Sequence, residues 1–581
     1  MVRAFPIRLP PLPGEALDSW LEALAHRMHA HLGDLLASAG TVCRRDRSPE
    51  LVNGARDWTI LLGPDEVAGI AAATGIPQPQ VEAMTLARYD GTALRIDRPN
   101  RKVNRHHLWG RGSGSRYCPE CLASSGGRWS LLWRLGWSFA CPAHRRLLAD
   151  TCPVCGQAQR LRPHPAHVIP QPGRCAHPAF GGSGRAAPCC SADLTSAITA
   201  SFPNGHPALA AQQLLLEVIS SGAAAFGIYA SDPQPTRAAL ADVRALACRI
   251  LTYATADDLA AIVPADLLAA YRRATAEPQQ SQSRPGFMAP RDAAVAAVGV
   301  TAAITVLGAP SIPAAGAALR WLVEGSRQRG VTMSPTATSN WGRGTSAVLA
   351  AVQLSALDPL LNPSDRLRYR TATGNPRRPL PGTRAADQRA RHTPALFWPE
   401  LSLRFALPHC HQQHLRAALS CGLLVTGTQI HTSQAADRLG AVTHGRRASR
   451  IIQLLGANPH SAGIFTGITR IADYLDTHDA PINYQRRREL SYEDLLPTDA
   501  WSRLCRDTGT PAGTRKAVVA RCVLFERISG LPARRAPFAV DNDAFRSSVA
   551  SFPAHLTPSS SPDSTTRHAL SCITTRSMTN Q

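Results

Sequence analysis

The chain has 581 residues, of which 44% are apolar, and a formal net charge of +22 at pH 7. This composition supplies ordinary globular cores and excludes a chain that is disordered over most of its length. The length predicts about three or four domains. Because arginine supplies nearly all of the positive charge, the excess reflects either a GC-rich genome or an anionic polymer partner, and we favour the polymer.

No signal peptide is visible at the start of the chain, and the longest apolar run, 293–307, is too short to span a bilayer. We therefore predict a buried helix over that run and a cytoplasmic, nucleoid-associated protein with no membrane partner. In a reducing compartment, closely spaced cysteines are more typical of metal sites than of disulfides.

Two segments near the start predict helices. Residues 14–31 carry apolar residues at intervals of three and four, which predicts an amphipathic helix. Residues 65–85 predict a helix-turn-helix with Gly75 at the turn. Its second helix would expose Gln78 and Gln80, and glutamine can read adenine edges in a major groove. We take both as candidate nucleic-acid contacts, with a simple packing unit as the alternative.

The strongest signal is a series of closely spaced ligand pairs: Cys118 with Cys121, Cys141 with His144, and Cys152 with Cys155. A C-x-x-C turn directs two thiolates at one point, and tetrahedral zinc needs two such pairs. The first two pairs therefore predict one complete zinc site.

The third pair begins a second zinc site. Cys175 is its expected third ligand, because it lies as far after Cys155 as Cys141 lies after Cys121. For the fourth ligand we choose Cys190, with Cys189 and His177 as open alternatives. Four protein ligands leave no position for water or substrate, so both zinc ions are expected to be structural.

The rest of the chain predicts helices, with a Pro- and Arg-rich linker over 362–393 and a Ser-, Thr- and Pro-rich disordered tail over 551–581. Residues 433–456 predict a second helix-turn-helix with a longer turn. The second helix carries three candidate nucleic-acid contacts, which suit phosphate: Arg446, Arg447 and Arg450. A solvated basic helix face is the alternative.

Several of these motifs resemble the TniQ family. The start PLPGEALDSWLEALA is similar to the family's Pro-rich lead and E-S-x-x-S-W-L helix. The segments YCPECL, WRLGWSFACPAHRRLLADTCPVCG and CSADL resemble its zinc region, with Trp133 and Trp137 in place of its W-x-x-x-W pair. The resemblance covers about 6–195. It departs from the family in the long insertion between Cys175 and Cys190, and 196–581 resembles only the long extension of actinobacterial members.

The resemblance implies a target-selection protein of Tn7-like transposition. Such a protein recognises a target site on double-stranded DNA, or an RNA-guided complex, and recruits an AAA+ ATPase and a transposase. The chemistry belongs to those separate chains, so the resemblance implies no enzyme activity. A dimer is left open as the oligomeric state.

We therefore predict a mainly α fold, with an N-terminal helix-turn-helix domain, two small zinc-ribbon-like modules and a long helical C-terminal region. The expected boundaries are 1–115, 116–195 for the double zinc module, 196–361, 362–393, 394–550 and 551–581. The alternative functions are a zinc-ribbon transcriptional regulator and a nuclease or DNA-modifying enzyme with zinc as a scaffold. The sequence contains no Walker A, G-x-S-x-G or H-E-x-x-H motif.

Overall fold

The computed structural model describes residues 4–40, 58–162, 164–179, 188–276, 286–338, 341–402, 405, 407, 410–440, 443–478 and 480–552. Within these ranges the fold is mainly helical, as predicted, and the named strands form two-stranded antiparallel hairpins. None of the described helices is long and apolar enough to cross a membrane. The chain divides into two compact units, Met1–Leu357 and Asp358–Gln581.

The first unit combines helices with three short hairpins. Its helices are α1 (Leu17–Arg27), α2 (Leu32–Ser38), α3 (Pro64–Thr74), α4 (Gln78–Ala83), α5 (Pro119–Ser124), α6 (Pro207–Ser221), α7 (Thr236–Tyr253), α8 (Ala256–Ala260), α9 (Ala265–Thr275), α10 (Ala293–Leu307), α11 (Ile312–Gln328), α12 (Pro335–Thr338) and α13 (Ala347–Leu357). Its strands are β1 (Ile96–Asp97), β2 (Lys102–Val103), β3 (Ala140–Cys141), β4 (Arg146–Leu147), β5 (Ala223–Ala224) and β6 (Gln234–Pro235). They pair β1 with β2, β3 with β4, and β5 with β6.

Helices α1 to α4 share a small hydrophobic core. The predicted amphipathic helix is α1, which buries Leu17, Trp20 and Leu24 against α3 and α4. Gly75 ends α3 with a φ of +72°, a conformation that glycine adopts without strain. Helix α4 ends at Ala83, and the chain continues as a 3₁₀ helix over Leu86–Tyr89.

The apolar run 293–307 forms the central helix of the first unit. As predicted, this helix, α10, is almost entirely buried, and it packs against α6, α7 and α9. Its small Ala and Gly residues let the helices approach closely. At Gly299 there is little room for a side chain, because an added Cβ would lie 3.0 Å from Leu251 and 3.2 Å from Ala247 of α7. The run therefore serves as a core element of a helical bundle.

The second unit is helical. Its helices are α14 (Pro363–Tyr369), α15 (Arg384–His392), α16 (Pro399–Ser402), α17 (Gln412–Val425), α18 (Thr432–Arg438), α19 (Gly445–Gly456), α20 (Ser461–Thr477), α21 (Tyr484–Glu489), α22 (Thr498–Asp507), α23 (Thr514–Ser529) and α24 (Asp543–Ser551). The predicted disordered tail lies outside the described residues apart from positions 551 and 552.

The expected linker at 362–393 is wrong. It contains α14 and α15, and Leu367 and Ala386 belong to the hydrophobic core of the second unit. Arg389 is fully buried, pairs with Asp476 at 2.6 Å and donates to the carbonyl of Leu423 at 2.8 Å. The arginine content that suggested a linker therefore belongs partly to buried ion pairs, which composition alone does not distinguish from solvated charge.

Candidate metal centres and nucleic-acid interface

Cys118, Cys121, Cys141 and His144 converge on one point, with their ligand atoms within 4.8 Å of one another. The Sγ atoms of Cys121 and Cys141 are 3.6 Å apart, and the three sulfur atoms lie 3.1 to 3.6 Å from Nδ1 of His144. Tetrahedral zinc, with bonds of about 2.3 Å to sulfur and about 2.0 Å to nitrogen, needs sulfur–sulfur separations of about 3.8 Å and sulfur–nitrogen separations of about 3.5 Å. The cluster therefore fits a tetrahedral ion bound through Nδ1.

Two local elements build this first cluster. Cys118 is the N-cap of α5, and Cys121 lies in the first turn of that helix. The hairpin β3–β4 carries the other two ligands, with Cys141 paired to Arg146 across it and His144 in its turn. Arg146 also pairs with Glu120 of α5 at 3.0 Å. This ion pair ties the two halves of the cluster together.

The protonation of the first cluster favours a bound cation. Hydrogen bonds with Cys118 and Cys121 lower the pKa of the Cys141 thiol, whereas hydrogen bonds with Cys118 and Cys141 raise the pKa of Cys121. Three thiolates so close together repel one another and cannot all ionise without a counter-charge. A divalent cation supplies that charge, because metal binding releases the thiol protons.

Cys152, Cys155, Cys175 and Cys190 form the second cluster, again with all four sulfur atoms within 4.8 Å. The Cys155–Cys175 separation is 3.7 Å and the Cys152–Cys190 separation is 4.0 Å. Two N–H groups, the backbone amide of Val154 and the side-chain amide of Gln159, each lie 3.5 Å from a sulfur atom. The all-cysteine set fits a tetrahedral ion, and its sulfur atoms have the donors that stabilise thiolates.

The choice among Cys190, Cys189 and His177 follows from backbone pairing. Residues 174–178 run antiparallel to 189–193, with bridges from Arg174 to Asp193 and from Pro178 to Cys189. This ribbon brings Cys190 beside Cys175, although the two are far apart in sequence. The ring of His177 instead bonds the carbonyl of Ala158 at 2.8 Å. Cys189 is the next residue along the strand, where side chains alternate between faces.

The two clusters share one hydrophobic core. Trp129, Trp133 and Leu122 pack with the buried ligands of both clusters. Backbone hydrogen bonds in both directions join Tyr117, just before the first cluster, to Ala149, just before the second. The Tyr117 hydroxyl also donates to the carbonyl of Thr151 at 2.8 Å. The segment therefore folds as one double module rather than as two independent ribbons.

The N-terminal helix docks on this double module through a buried ion pair. Glu15, 2% exposed, binds Arg128 through both carboxylate oxygens. The Ser19 hydroxyl donates to Glu15 at 2.9 Å and accepts from the backbone N–H of Trp129 at 2.8 Å. The opening motif therefore has an architectural role. Sequence reasoning missed it because Glu15 and Arg128 are distant along the chain.

A second set of ion pairs lies one turn further along α1. Asp18 pairs with Arg134 and, at 2.7 Å, with Arg160, and Glu22 pairs with Arg160 at 2.8 Å. Burial alone would raise the pKa of Asp18, but the charges of Arg134 and Arg160 hold it below its usual value. The i, i+4 spacing of Asp18 and Glu22 was a usable signal for one shared partner.

Trp137 and the backbone after it link the double module to the helical bundle. Its indole N–H donates to the carbonyl of Ala93 at 2.9 Å, and its ring stacks on Trp109 at 4.8 Å. The side-chain oxygen of the fully buried Gln212, on α6, accepts hydrogen bonds from the backbone N–H groups of Phe139 and Ala140 at 2.7 and 3.1 Å. These contacts hold the backbone that leads into Cys141.

In the second unit, α17, α18 and α19 pack against one another around buried Ala435, Leu439 and Ile452. A Cβ on Gly445 would lie 2.3 Å from the Cα of Ser433, so the start of α19 crosses α18 in close contact. The segment predicted as a second helix-turn-helix thus contains two helices in contact, and both of them pack against α17.

The exposed face of α19 carries positive charge that pairs with no carboxylate among the described residues. Arg446, Arg447 and Arg450 are all exposed, and α19 contains no Asp or Glu. Arg447 contacts the ring of His414 at 3.2 Å. Burial, followed by the charges of Arg447, His411 and Arg534, lowers the pKa of His414. A cationic surface with these properties suits an anionic polymer.

The other predicted contacts, Gln78 and Gln80, are exposed on α4. This helix has six residues, and no basic residue lies on it. The structure thus places both glutamines at the surface, where their role as base contacts stays a prediction.

Comparison with known proteins bears on the N-terminal quarter of the chain. A comparison with curated proteins finds no match. The TniQ family model matches residues 6–148. This segment includes the docking residues Glu15, Ser19 and Arg128 and the complete first cluster, whereas the second cluster lies beyond it. Residues 6–148 are therefore a TniQ domain.

Proposed function

We propose that this chain is an adaptor for transposon target-site selection. The observation that carries the proposal is the TniQ match over 6–148, because the family is associated with transposition. In this role the chain associates with double-stranded DNA in the cytoplasm and recruits the transposition ATPase and transposase. The match favours this function over that of a transcriptional regulator, which no separate observation supports.

In this proposal both cysteine clusters hold structural zinc. Each offers four protein ligands, so neither ion would have an open position for an activated water. The chain would therefore act without catalysis of its own. We propose 116–195 as the double zinc module, whose ions fix the core on which α1 docks. Because structural zinc binding is coupled to folding, loss of either ion would disturb that docking.

We propose that α19 meets the DNA backbone. Arg446, Arg447 and Arg450 would bind phosphate oxygens, a contact that orients a protein on a duplex without reading its sequence. Gln78 and Gln80 remain candidate base contacts in the first unit. Support comes from the exposure of all three arginines and from the absence of acidic residues on α19.

The experiment that tests the proposal is an insertion assay with the cognate transposase and ATPase, run with and without this chain. We expect insertions at preferred sites only when the chain is present. A chain with Cys118→Ser should behave like the deletion, and one with Cys189→Ser, which lies outside the clusters, like the wild type. The same sites and frequency without the chain would refute the targeting role.

A further inference from the structure

A basic hairpin in the TniQ domain has no place in the account above. Between residues 95 and 105 the chain carries one acidic residue, Asp97, and five basic ones: Arg95, Arg98, Arg101, Lys102 and Arg105. Strands β1 and β2 pair through Ile96 with Val103 and Asp97 with Lys102. Ile96 and Val103 are buried and anchor the hairpin, which leaves most of the basic side chains at the surface.

The base of this hairpin borders a pocket of about 280 Å³. Its polar lining is Asp90, Arg95, Arg98, His107 and Arg237. The one carboxylate, Asp90, is already engaged by Arg98 at 3.1 Å and by the backbone N–H of Ile96 at 3.0 Å. The pocket therefore has a net positive charge.

The other two arginines of the pocket have no carboxylate partner among the described residues. Among the described residues, neither Arg95 nor Arg237 forms an ion pair. Arg237 donates to Nε2 of His107 at 3.4 Å, which leaves the proton of the neutral ring on Nδ1. That Nδ1 atom is buried and has no hydrogen-bond partner. Burial, followed by the charges of Arg237, Arg95 and Arg244, lowers the pKa of His107, so the ring is neutral at pH 7.

We propose that this pocket binds a phosphate group of a nucleic-acid backbone. Two arginines without carboxylate partners match the several acceptor oxygens of a phosphodiester. The exposed basic residues of the hairpin, Lys102 and Arg105, would follow the neighbouring phosphates. The choice of duplex DNA as the source of the phosphate rests on the proposed function, whereas the binding of phosphate itself does not.

The test is the salt dependence of binding by the full-length, zinc-loaded chain to a short fluorescein-labelled duplex of random sequence. The pocket variant is Arg95→Ala with Arg237→Ala. The control is Arg272→Ala with Arg273→Ala, which removes the same charge from exposed positions on α9. We expect the pocket variant to lose about tenfold in affinity and about two in the slope of log affinity against log salt. The control should stay within about twofold of the wild type, since it removes no phosphate contact.

Two further measurements keep the outcomes distinct. Thermal unfolding should be the same in both variants, and Arg95→Lys with Arg237→Lys should restore most of the slope because it restores charge. Equal losses in the pocket variant and the control, or no loss in either, would overturn the proposal. Displacement of the duplex by polyglutamate as efficient as by nucleic acid would assign the pocket to an acidic protein instead and also overturn it.

Competition by single-stranded RNA and by duplex DNA distinguishes the source of the phosphate, and the stronger competitor identifies it. The insertion assay separates this proposal from the proposed function. If insertion sites do not depend on the chain, but the pocket variant still loses salt-dependent binding, the targeting role fails and the phosphate site stands.

Discussion

The buried contact between Glu15 and Arg128 allows a sharp test of how the TniQ domain is assembled. We predict that Glu15→Ala detaches α1 from the double module. The carboxylate accepts from Arg128 through both oxygens, from the Ser19 hydroxyl at 2.9 Å and from the backbone N–H of Leu12 at 2.9 Å. Removing it leaves all of these donors without their acceptor.

The expected cost follows from burial. The side chains of Arg128 and Glu15 are 10% and 1% exposed. Breaking a pair this buried costs roughly 3–5 kcal/mol, because the remaining charge stays desolvated, whereas an exposed pair contributes about 0–1 kcal/mol. The matched control is Glu217→Ala, which removes an exposed carboxylate from α6. It should cost under about 0.5 kcal/mol.

The assay is hydrogen–deuterium exchange of the native chain, which reports local opening without requiring the whole chain to unfold in two states. In the Glu15→Ala variant, amides of α1 and of residues 129–131 should exchange faster by about two to four orders of magnitude, the factor that corresponds to roughly 3–5 kcal/mol. The Glu217→Ala variant should match the wild type. Unchanged exchange in both variants would refute the docking role of Glu15.

Four further predictions follow from the clusters, the basic helix and the bundle. Cys190→Ser should lower bound zinc from two ions to one per chain by metal analysis, while Cys189→Ser should retain two; the reverse result would exchange their roles. Arg446→Ala, Arg447→Ala and Arg450→Ala together should lower the salt slope of DNA binding by up to about three, and the same change at exposed Arg272, Arg273 and Arg506 should leave it unaltered. Burial raises the pKa of Asp242, on α7, to about 6. The protonated side chain therefore contributes about 3 kcal/mol to the free energy of unfolding below about pH 4, and this contribution is lost as pH rises through about 6. The unfolding free energy of the wild type minus that of Asp242→Asn should therefore fall over this window and level off above it; a flat difference would contradict the raised pKa. The purified chain should neither hydrolyse ATP nor cut DNA with magnesium or manganese, and cleavage abolished by one carboxylate substitution would contradict this.

Local spacing was enough to predict the first cluster. A C-x-x-C or C-x-x-H turn places two ligands together through a few backbone dihedrals, so Cys118, Cys121, Cys141 and His144 follow from sequence alone. The fourth member of the second cluster does not, because Cys190 reaches Cys175 only through pairing of two extended segments across an insertion. Its choice over Cys189 and His177 needed the register of that ribbon.

The roles of arginines were the hardest to predict. Arg128 and Arg389 are structural cations whose carboxylate partners lie far away in the sequence, so their charge suggested a surface or a linker. The basic hairpin was not predicted from the sequence, for a different reason. Its strands have two residues each, too short for an alternating apolar pattern to reveal them. Periodicity did predict α1, and the continuous apolar run 293–307 predicted the buried helix α10.

The central claim is that this chain directs where a transposon inserts, and insertion-site sequencing tests it most directly. Cells with the cognate transposase and ATPase would carry the wild-type chain, no chain, or the chain with Arg446→Ala, Arg447→Ala and Arg450→Ala. We predict insertions concentrated at preferred sites with the wild type, and scattered or lost without the chain. The triple variant, with both metal clusters intact, should fall toward the deletion. An identical distribution of insertion sites in all three strains would contradict the account.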